Sequence, residues 1–329
     1  MRVISKFAAS AIADAATSLR AGNLVAFPTE TVYGLGADAQ NKSAVTRVYQ
    51  AKGRPLNHPL IVHLSSIDLL DKWTRDIPEY ALTLAKTFWP GPMTLILQRT
   101  AIAKDFITGG QNNVGIRVPA HDLALALLKE FESQGGLGVA APSANRFGAV
   151  SPTTAEAVRT ELDEYLSESD LILDGGLSLV GVESTIIDCT KKNPVILRPG
   201  GITLEMLQNL LPNKILSIDF TENHIRAPGL LQSHYAPNAK IFLSGTSQVG
   251  DGFIALSKFP TPKGSIRLAS PKNITEYAQI LYSALRLADS WGIKNVYVLA
   301  PSKEGIGYAI NDRLEKASFK SNVSQLYNT

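Results

Sequence analysis

Apolar positions along the chain follow two periods, and their order predicts a mixed α/β fold. Between Ala8 and Leu19 they recur at helical spacing, and residues 24–27 form an uninterrupted apolar run typical of a buried strand. Further strands are predicted at 59–64, 93–98, 114–118, 137–141, 172–174, 184–189 and 195–198, and helices at 43–51, 66–88, 121–132 and 153–162. Because helices and strands intermix, we expect an α/β domain with a mixed sheet and flanking helices.

The pattern changes near residue 212. The following stretch has no sustained period and carries Pro228, Gly229 and Pro237, which is typical of a linker. Beyond it, short apolar strands surround the helical pattern TEYAQILYSALRLADSWG and precede a last helix in INDRLEKASF, as in a small Rossmann-like α/β domain. The predicted boundaries are 1–212 for the first domain, 213–238 for a linker that could act as a lid, and 239–329 for the second domain.

Charge and composition narrow the function classes. The 329 residues are 45% hydrophobic and 19% charged, as expected for a globular protein. Net charge is +3; residues 1–214 hold 20 Lys+Arg against 21 Asp+Glu. A protein that grips nucleic acid mainly through phosphates usually carries more positive charge, so at most weak RNA binding through local patches is expected.

Cys189 is the one cysteine of the sequence, which rules out an intramolecular disulfide and a cysteine-based zinc site. His58 and His63 stand five residues apart across a proline and do not form a helical metal pair, so no metal site is predicted. No apolar run reaches membrane-spanning length, and we expect a cytoplasmic protein.

The stretch FPTETVYGLGADA, 27–39, contains one form of a dinucleotide-binding glycine pattern. Its context does not fit, because that fingerprint wants an acidic residue about 20 positions on, where this chain has Lys52 and Arg54. A glycine turn between strand and helix is the simpler interpretation. It leaves the hydroxyl groups of the stretch, Thr31 among them, without a role.

Two further stretches carry groups that suit an anion. Lys52 and Arg54 precede Pro55 on a restrained loop, which makes an anion clamp or merely a solvated basic helix end. In AAPSANRFGAVSPT, 140–153, hydroxyls and small residues follow a strand and open a helix; such loops bind phosphates, although an ordinary N-cap explains them too.

Two arginines and a serine lie in or next to predicted strands. Arg117 lies inside the apolar strand VGIRVP, where a charge should be paired or face a cavity. Arg198 ends the strand of ILRPGG, and Ser184 follows Glu183 in GVESTIID. A structural salt bridge is the alternative for both arginines.

Taken in order, these stretches resemble the YrdC-like threonylcarbamoyl-AMP synthases in their long, two-domain form. The resemblance covers FPTETVYGLGADA, KGRP, HPLIVHL, WPGPMTLIL, VGIRVPAH, AAPSANRFGAVSPT, GGLSLVGVESTIID and LRPGG, then HYAP and GIGYAINDR. It implies a twisted mixed sheet that forms a concave cleft, and an enzyme that makes threonylcarbamoyl-adenylate and pyrophosphate from L-threonine, bicarbonate or CO2, and ATP. Mg²⁺ would accompany ATP, and the product would pass to a tRNA transferase acting at position 37.

The resemblance also assigns residues. It implies that Lys52 and Arg54 are catalytic. The nucleotide site it implies comprises Arg54, His58, Asn113, Ser143, Asn145, Ser151, Arg198 and Gln232, the last standing where the family's long form carries a tyrosine. The threonine site comprises Thr31, His63, Arg117, Ala141 and Ser184, with Arg117 on the substrate carboxylate because a guanidinium binds a carboxylate through two hydrogen bonds.

Three other classes stay in view. An RNA-binding module would bind RNA in a strongly salt-dependent way without turning over ATP. A carbamoyl-adenylate enzyme of the hydrogenase-maturation type usually adds a zinc finger, which one cysteine cannot build. An NAD enzyme would bind NAD, against the charge context described above.

Overall fold

The computed structural model describes residues 2–5, 10–219, 225–229 and 234–326, with side chains of the last helix through residue 319. The helices are α1 Ala11–Arg20, α2 Lys42–Lys52, α3 Leu70–Trp73, α4 Glu79–Phe88, α5 Asp105–Thr108, α6 Asp122–Ser133, α7 Ala155–Leu162, α8 Leu204–Leu210, α9 Ile274–Ser290 and α10 Gly307–Leu326, with 3-10 turns at Ile67–Leu69 and Asp163–Tyr165. The strands are β1 Arg2–Ser5, β2 Val25–Phe27, β3 Gly34–Asp38, β4 Ile61–His63, β5 Thr74–Arg75, β6 Met93–Arg99, β7 Asn113–Arg117, β8 Val139–Ala140, β9 Leu171–Asp174, β10 Thr185–Asp188, β11 Val195–Arg198, β12 Ser217–Ile218, β13 Lys240–Phe242, β14 Gly252–Ile254, β15 Ile266–Ala269 and β16 Asn295–Val298.

Within the described residues the first part of the chain forms a 12-stranded sheet in the order β1-β9-β2-β3-β8-β4-β7-β6-β10-β11-β12, with β5 paired to β6. Parallel pairs such as β4 with β7 alternate with antiparallel pairs such as β7 with β6. Helices flank the sheet and bury its apolar core. The predicted mixed α/β fold is therefore confirmed.

Strand β3 corrects the sequence interpretation of GLGADA as a turn. It runs antiparallel between β2 and β8 and is fully buried. A Cβ at Gly36 would lie 2.8 Å from Val139 and 2.9 Å from Phe27. The glycines therefore let neighbouring strands place large side chains against the backbone of β3. The interpretation of these glycines as turn residues did not include this packing role.

The local sequence also explains how α2 presents its last residue. Asn41 caps the helix by accepting a hydrogen bond from the Ala44 amide, and Gly53 ends it with a left-handed φ of 62°. The chain therefore leaves the helix directly after Lys52 and turns toward the cleft described below.

The last part of the chain forms a four-stranded sheet in the order β13-β16-β14-β15, in which every pair is parallel. Helices α9 and α10 pack on it. Its apolar core extends into the first part, because Val32, Val150 and Val182 belong to the same buried cluster as Tyr282 and Leu285. The two sheets thus share one continuous packing interface.

The predicted linker holds more structure than its irregular composition suggested. Strand β12 pairs with β11 at the edge of the large sheet. Residues 225–229 and 234–238 then pass across the first part, where Tyr235 is buried to 1% exposure. Among the described residues, none of the helices combines the length and the apolar character that a membrane span needs.

Candidate active site

One row of the large sheet carries three of the predicted site residues. His63 at the end of β4 pairs in register with Arg117 at the end of β7, and the row continues through β6 and β10 to Arg198, which pairs with Ile186. Four strand spacings separate the first and last of these residues, about 19 Å. The row therefore runs along the length of an elongated cleft.

The cleft above this row brings together most of the predicted site. It is lined by Thr29, Thr31, Val32, Tyr33, Gly34, Arg54, Ile61, His63, Arg117, Ala141, Pro142, Ser143, Glu183, Ser184, Arg198, Pro228, Gly229, His234 and Tyr235. All five residues assigned to threonine by resemblance are in this set, as are Arg54, Ser143 and Arg198 from the nucleotide set. Their individual roles stay predictions.

Arg117 is the centre of a buried polar group at one end of the cleft. Its Nη2 donates to Thr31 Oγ1 at 2.9 Å and forms an ion pair with Glu30 Oε1 at 2.8 Å. Glu30 is held in turn by the Ala120 amide, which donates to Oε2 at 3.0 Å. Nε of Arg117 is buried and has no hydrogen-bond partner among the described residues, so this guanidinium retains a donor for a ligand.

His63 lies beside Arg117 as a neutral imidazole. Burial, together with the Arg117 charge, lowers the pKa of His63 to about 3. Phe27 contacts the ring edge-on, with the centroids 6.0 Å apart. The buried Nδ1 makes no hydrogen bond to a described residue. His63 is therefore a neutral hydrogen-bonding group at physiological pH and not a second cation.

Ser184 and Arg198 form the opposite wall. Arg198 donates through Nε and Nη2 to the Ser184 carbonyl at 3.0 and 2.9 Å, and Nη2 also lies 3.1 Å from Ser184 Oγ. The same hydroxyl is 2.8 Å from Thr94 Oγ1. A third donor, Nη1, reaches the Pro228 carbonyl at 3.1 Å. Arg198 thus joins the serine to the chain segment that crosses the cleft.

Lys52 lies behind the cleft wall and is fixed to the loop at 143–145. Its ammonium donates to the Ser143 carbonyl at 2.6 Å and also to the Asn145 carbonyl. Burial, with the nearby Arg54 charge, holds the pKa of Lys52 well below its usual value. Among the described residues no carboxylate forms an ion pair with this ammonium. When Lys52 is protonated, it places a positive charge without a carboxylate partner behind the Ser143 carbonyl.

Arg54 and His58 meet around Phe147. The Arg54 guanidinium lies 5.6 Å from the ring centroid and donates to the Pro59 carbonyl at 2.9 Å. His58, half-buried, contacts the same ring edge-on at 5.4 Å. Burial lowers the pKa of Arg54 to about 10, which still leaves it charged at neutral pH. Arg54 lines the cleft, whereas His58 stands at its margin.

The other predicted nucleotide residues divide into two groups. Asn145 and Ser151 are buried beside the cleft: the Asn145 amide donates to the Arg146 and Ala149 carbonyls, and Ser151 donates to Glu183 Oε1 at 2.6 Å. Asn113 begins β7, four residues before Arg117, and lines a separate surface depression with Arg75 and Thr190. Gln232 lies outside the described residues.

The cleft is covered by residues of the linker that was predicted as a possible lid, although Gln232 was the one residue of that linker assigned to the site from the sequence. Pro228, Gly229, His234 and Tyr235 all line it, and His234 lies 4.0 Å from Tyr235 between ring centroids. The space left beneath them is about 50 Å³. Small-molecule sites usually measure about 300–1,000 Å³, so a ligand of nucleotide size could enter only after these residues move. The HYAP motif quoted above was the available signal.

Glu30 and Glu183 were also missed as site residues, although both lie in stretches singled out by their polar content. Each is buried against an arginine, which only the three-dimensional arrangement reveals. Across the described residues, no group of three or more His, Cys, Asp or Glu side chains is arranged to hold a metal ion.

Comparison with known proteins supplies the context for this geometry. A family model for the Sua5, YciO and YrdC proteins, described as "Telomere recombination", matches residues 17–200, and a second, "Threonylcarbamoyl-AMP synthase, C-terminal domain", matches residues 202–318. The chain belongs to the Sua5/YciO/YrdC family. The second match shows that it has the family's two-domain form.

Similar proteins align with this chain over almost its whole length. A threonylcarbamoyl-AMP synthase of Pyrococcus abyssi is 39% identical over 92% of this chain and 93% of its own length, and one of Bacillus subtilis is 41% identical over 93% and 92%. A solved structure of P. abyssi Sua5 complexed with L-threonine superposes with a TM-score of 0.86 at 36% identity, covering 96% of this chain and 97% of that one. These likenesses confirm the predicted family and its twisted mixed sheet.

Proposed function

We propose that this chain is an L-threonylcarbamoyladenylate synthase. It would make threonylcarbamoyl-AMP and pyrophosphate from L-threonine, bicarbonate or CO2, and ATP. The observation that carries the proposal is the single cleft in which Arg117, Thr31 and His63 face Arg54, Ser143 and Arg198. The relatives that match nearly the whole chain bear the name of this activity.

Threonine would bind at the Arg117 end. Its carboxylate would accept hydrogen bonds from Arg117, whose Nε is buried and unused, and its polar groups would meet Thr31, Ser184 and the neutral His63. Glu30 holds the guanidinium in place from behind. The P. abyssi protein has been solved in complex with L-threonine, which supports the proposal that this chain has an amino-acid site.

ATP would bind toward Arg54 and Ser143. Arg54 lies on the cleft surface, and Lys52, when protonated, would place a second, buried positive charge behind the Ser143 carbonyl. Two cations and the amides of a loop are suited to a triphosphate. We propose that Mg²⁺ enters with ATP, since magnesium in nucleotide sites is held largely by substrate phosphates.

The reaction needs positioning and charge, and no covalent nucleophile on the protein. The threonine amine would form a C–N bond to CO2 and lose a proton, giving a carbamate. A carbamate oxygen then attacks the α-phosphorus, the bond from that phosphorus to the bridging oxygen breaks, and pyrophosphate leaves. Lys52 and Arg54 would stabilise the charge that develops on the phosphates, and Pro228, Gly229, His234 and Tyr235, which cover the cleft, would keep water from the mixed anhydride.

The product is a labile adenylate that a separate enzyme must consume. We propose that a tRNA threonylcarbamoyl transferase takes it up to modify adenosine 37 of tRNA. The +3 net charge of this chain supports no more than weak contact with RNA itself, so product transfer would not require a tight complex with tRNA.

The test is pyrophosphate release by the purified chain with ATP, Mg²⁺, bicarbonate and L-threonine, omitting one component at a time. Release that requires every component is the expected result. Release that continues without threonine would show another acyl donor or plain ATP hydrolysis. Salt-sensitive RNA binding without any release would favour an RNA-binding module instead.

A further inference from the structure

Arg313, on α10 of the second domain, is buried against the first domain. Its side chain is 0% exposed, and Nε forms an ion pair with Glu183 Oε2 at 2.8 Å. Nη2 donates to the Pro199 carbonyl at 3.0 Å, and Nη1 contacts Asp312 Oδ2 at 2.5 Å. One guanidinium therefore bridges the residues just before β10 and just after β11, which are antiparallel neighbours in the large sheet.

The two segments are those that carry the cleft wall. Glu183 immediately precedes Ser184, and Pro199 immediately follows Arg198. Ser184 and Arg198 hydrogen-bond each other across the cleft wall. Arg313 thus holds the outer neighbours of both residues, and a shift of its guanidinium would be transmitted to the wall by one peptide bond on each side.

Glu183 has further partners that fix it from other elements. Ser151 donates to Oε1 at 2.6 Å, and the Tyr282 hydroxyl of α9 lies 3.1 and 2.9 Å from the two carboxylate oxygens. Although burial alone would raise it, the charges of Arg313 and Arg198 lower the pKa of Glu183 to about 2. The carboxylate is therefore ionised at neutral pH and fully hydrogen-bonded.

The same guanidinium also touches the segment that covers the cleft. It lies 5.0 Å from the centroid of Tyr235, whose ring stacks on Tyr282 at 5.9 Å. Arg313 therefore contacts the wall and the cover of the cleft at once, although no residue beyond Tyr235 belongs to the cleft lining described above.

We infer that Arg313 is a positioning residue of the active site: through Glu183, Pro199 and Tyr235 it sets the places of Ser184, Arg198 and the covering segment. The inference rests on the proposed function for its kinetic consequences. It gives the second domain a defined part in the reaction, which is to hold the wall and cover of a cleft built by the first domain.

The test compares Arg313→Ala and Arg313→Lys with Lys303→Ala, an exposed ion-pair residue of the same domain. Because a misplacement of about 1 Å can cost roughly 100-fold in rate, we expect Arg313→Ala to lose roughly tenfold or more in kcat and to raise the KM for threonine. Arg313→Lys should be intermediate, and added ethylguanidinium should restore part of the activity of Arg313→Ala but leave Lys303→Ala unchanged.

A purely structural role would lower the melting temperature without these effects. Folded Arg313 variants with kcat and threonine KM within about twofold of the parent chain would overturn the inference. If Arg313→Ala does not fold, Arg313→Lys carries the test.

Hydrogen exchange separates this inference from the proposed function. Amides of residues 183–185, 198, 200 and 201 should exchange faster in Arg313→Lys than in the parent chain, whatever reaction the protein performs. Unchanged exchange there would contradict the inference. An inactive parent chain with faster exchange in the variant would contradict the proposed function alone.

Discussion

The ammonium of Lys316 lies 2.6 Å from the carbonyl oxygen of Gly229 and donates a hydrogen bond to it. Lys316 belongs to the last helix of the second domain, and Gly229 to the segment that crosses the cleft. Asp312 holds the same ammonium at 2.7 Å. The position of the covering segment is therefore set from outside the domain that it covers.

Gly229 gives a direct test of this segment. Its φ of 85° favours glycine, and a Cβ there would lie 2.4 Å from Tyr235 Oη and 3.0 Å from Arg198 Cδ. Gly229→Ala should therefore displace the segment and lower kcat/KM roughly tenfold or more, as misplaced active-site groups do.

Gly135→Ala is the matched control for Gly229→Ala. Gly135 has the same φ of 85° but nothing within 4 Å of its Cβ position. It should lose only the conformational term of about 1–2 kcal/mol in the free energy of unfolding and keep full activity. Equal kinetic effects of the two substitutions would show that contact with Tyr235 and Arg198 is irrelevant.

Lys52→Ala should reduce the rate of pyrophosphate release roughly 100-fold or more, by analogy with the loss of an oxyanion donor. The lost ammonium supplies charge behind Ser143 and also fixes the 143–145 loop through two carbonyls. Steady-state rates measured beside Lys42→Ala, at the exposed start of the same helix, separate this effect from general changes in charge. A rate for Lys52→Ala near that of the parent chain would refute the role.

Arg117→Lys should raise the KM for threonine by roughly tenfold or more, because an ammonium cannot bind a carboxylate in two-pronged fashion. The substitution keeps a positive charge beside Glu30, so this carboxylate is not left buried without a partner. The variant therefore tests the hydrogen-bonding geometry of the guanidinium. The KM for ATP should change by less than about twofold, and so should both constants in Arg159→Lys, a change at an exposed ion pair. If the KM for ATP rose and the KM for threonine stayed unchanged, the Arg117 end of the cleft would be the nucleotide site and not the threonine site.

His63 should make the protein less stable in acid. Its folded-state pKa of about 3 lies below the unfolded value near 6.5, so below pH 6.5 the unfolded chain binds a proton that the folded chain does not. The free energy of unfolding should fall as the pH drops from 6.5 toward 3, by at most about 1.4 kcal/mol per pH unit for this group.

His63→Asn removes that contribution and should therefore lose less stability than the parent chain over the same pH interval, measured by urea unfolding. His234, whose burial also lowers its pKa, acts equally in both proteins and cancels in the comparison. Parallel pH profiles for the two proteins would show that His63 does not titrate as described.

Much of the fold was predictable because its signals are local. Apolar periods located α2, α6, β6 and β11 to within a residue or two. The helix predicted from residue 153 begins two residues later, where Thr154 caps α7 by accepting a hydrogen bond from the Ala157 amide. Strand β3 was not predictable in this way, since its Gly36 is needed to leave room for the side chains of Phe27 and Val139 on neighbouring strands. Such a requirement is invisible in the stretch itself.

The site residues likewise include some that local sequence signals indicated and some that they did not. Motif resemblance pointed to Arg117, His63 and Ser184, and the sheet register explains why they meet. Nothing local indicates that Lys52 would lie buried against carbonyls, or that Glu183 would pair with a residue 130 positions away. The first contact depends on how α2 packs against the loop at 143–145, the second on how the second domain packs, and no single stretch encodes either.

The apolar cluster that unites Val32, Val150 and Val182 with the second domain has a practical consequence for experiments that shorten the chain. A fragment stopping near residue 212 would expose these valines to water and leave the Glu183 carboxylate without its arginine. A loss of activity in this fragment could then result from aggregation or from the unpaired Glu183 carboxylate, and not only from the loss of a catalytic contribution by the second domain. Point substitutions at the interface, and not deletions, are the means by which the contribution of the second domain can be measured.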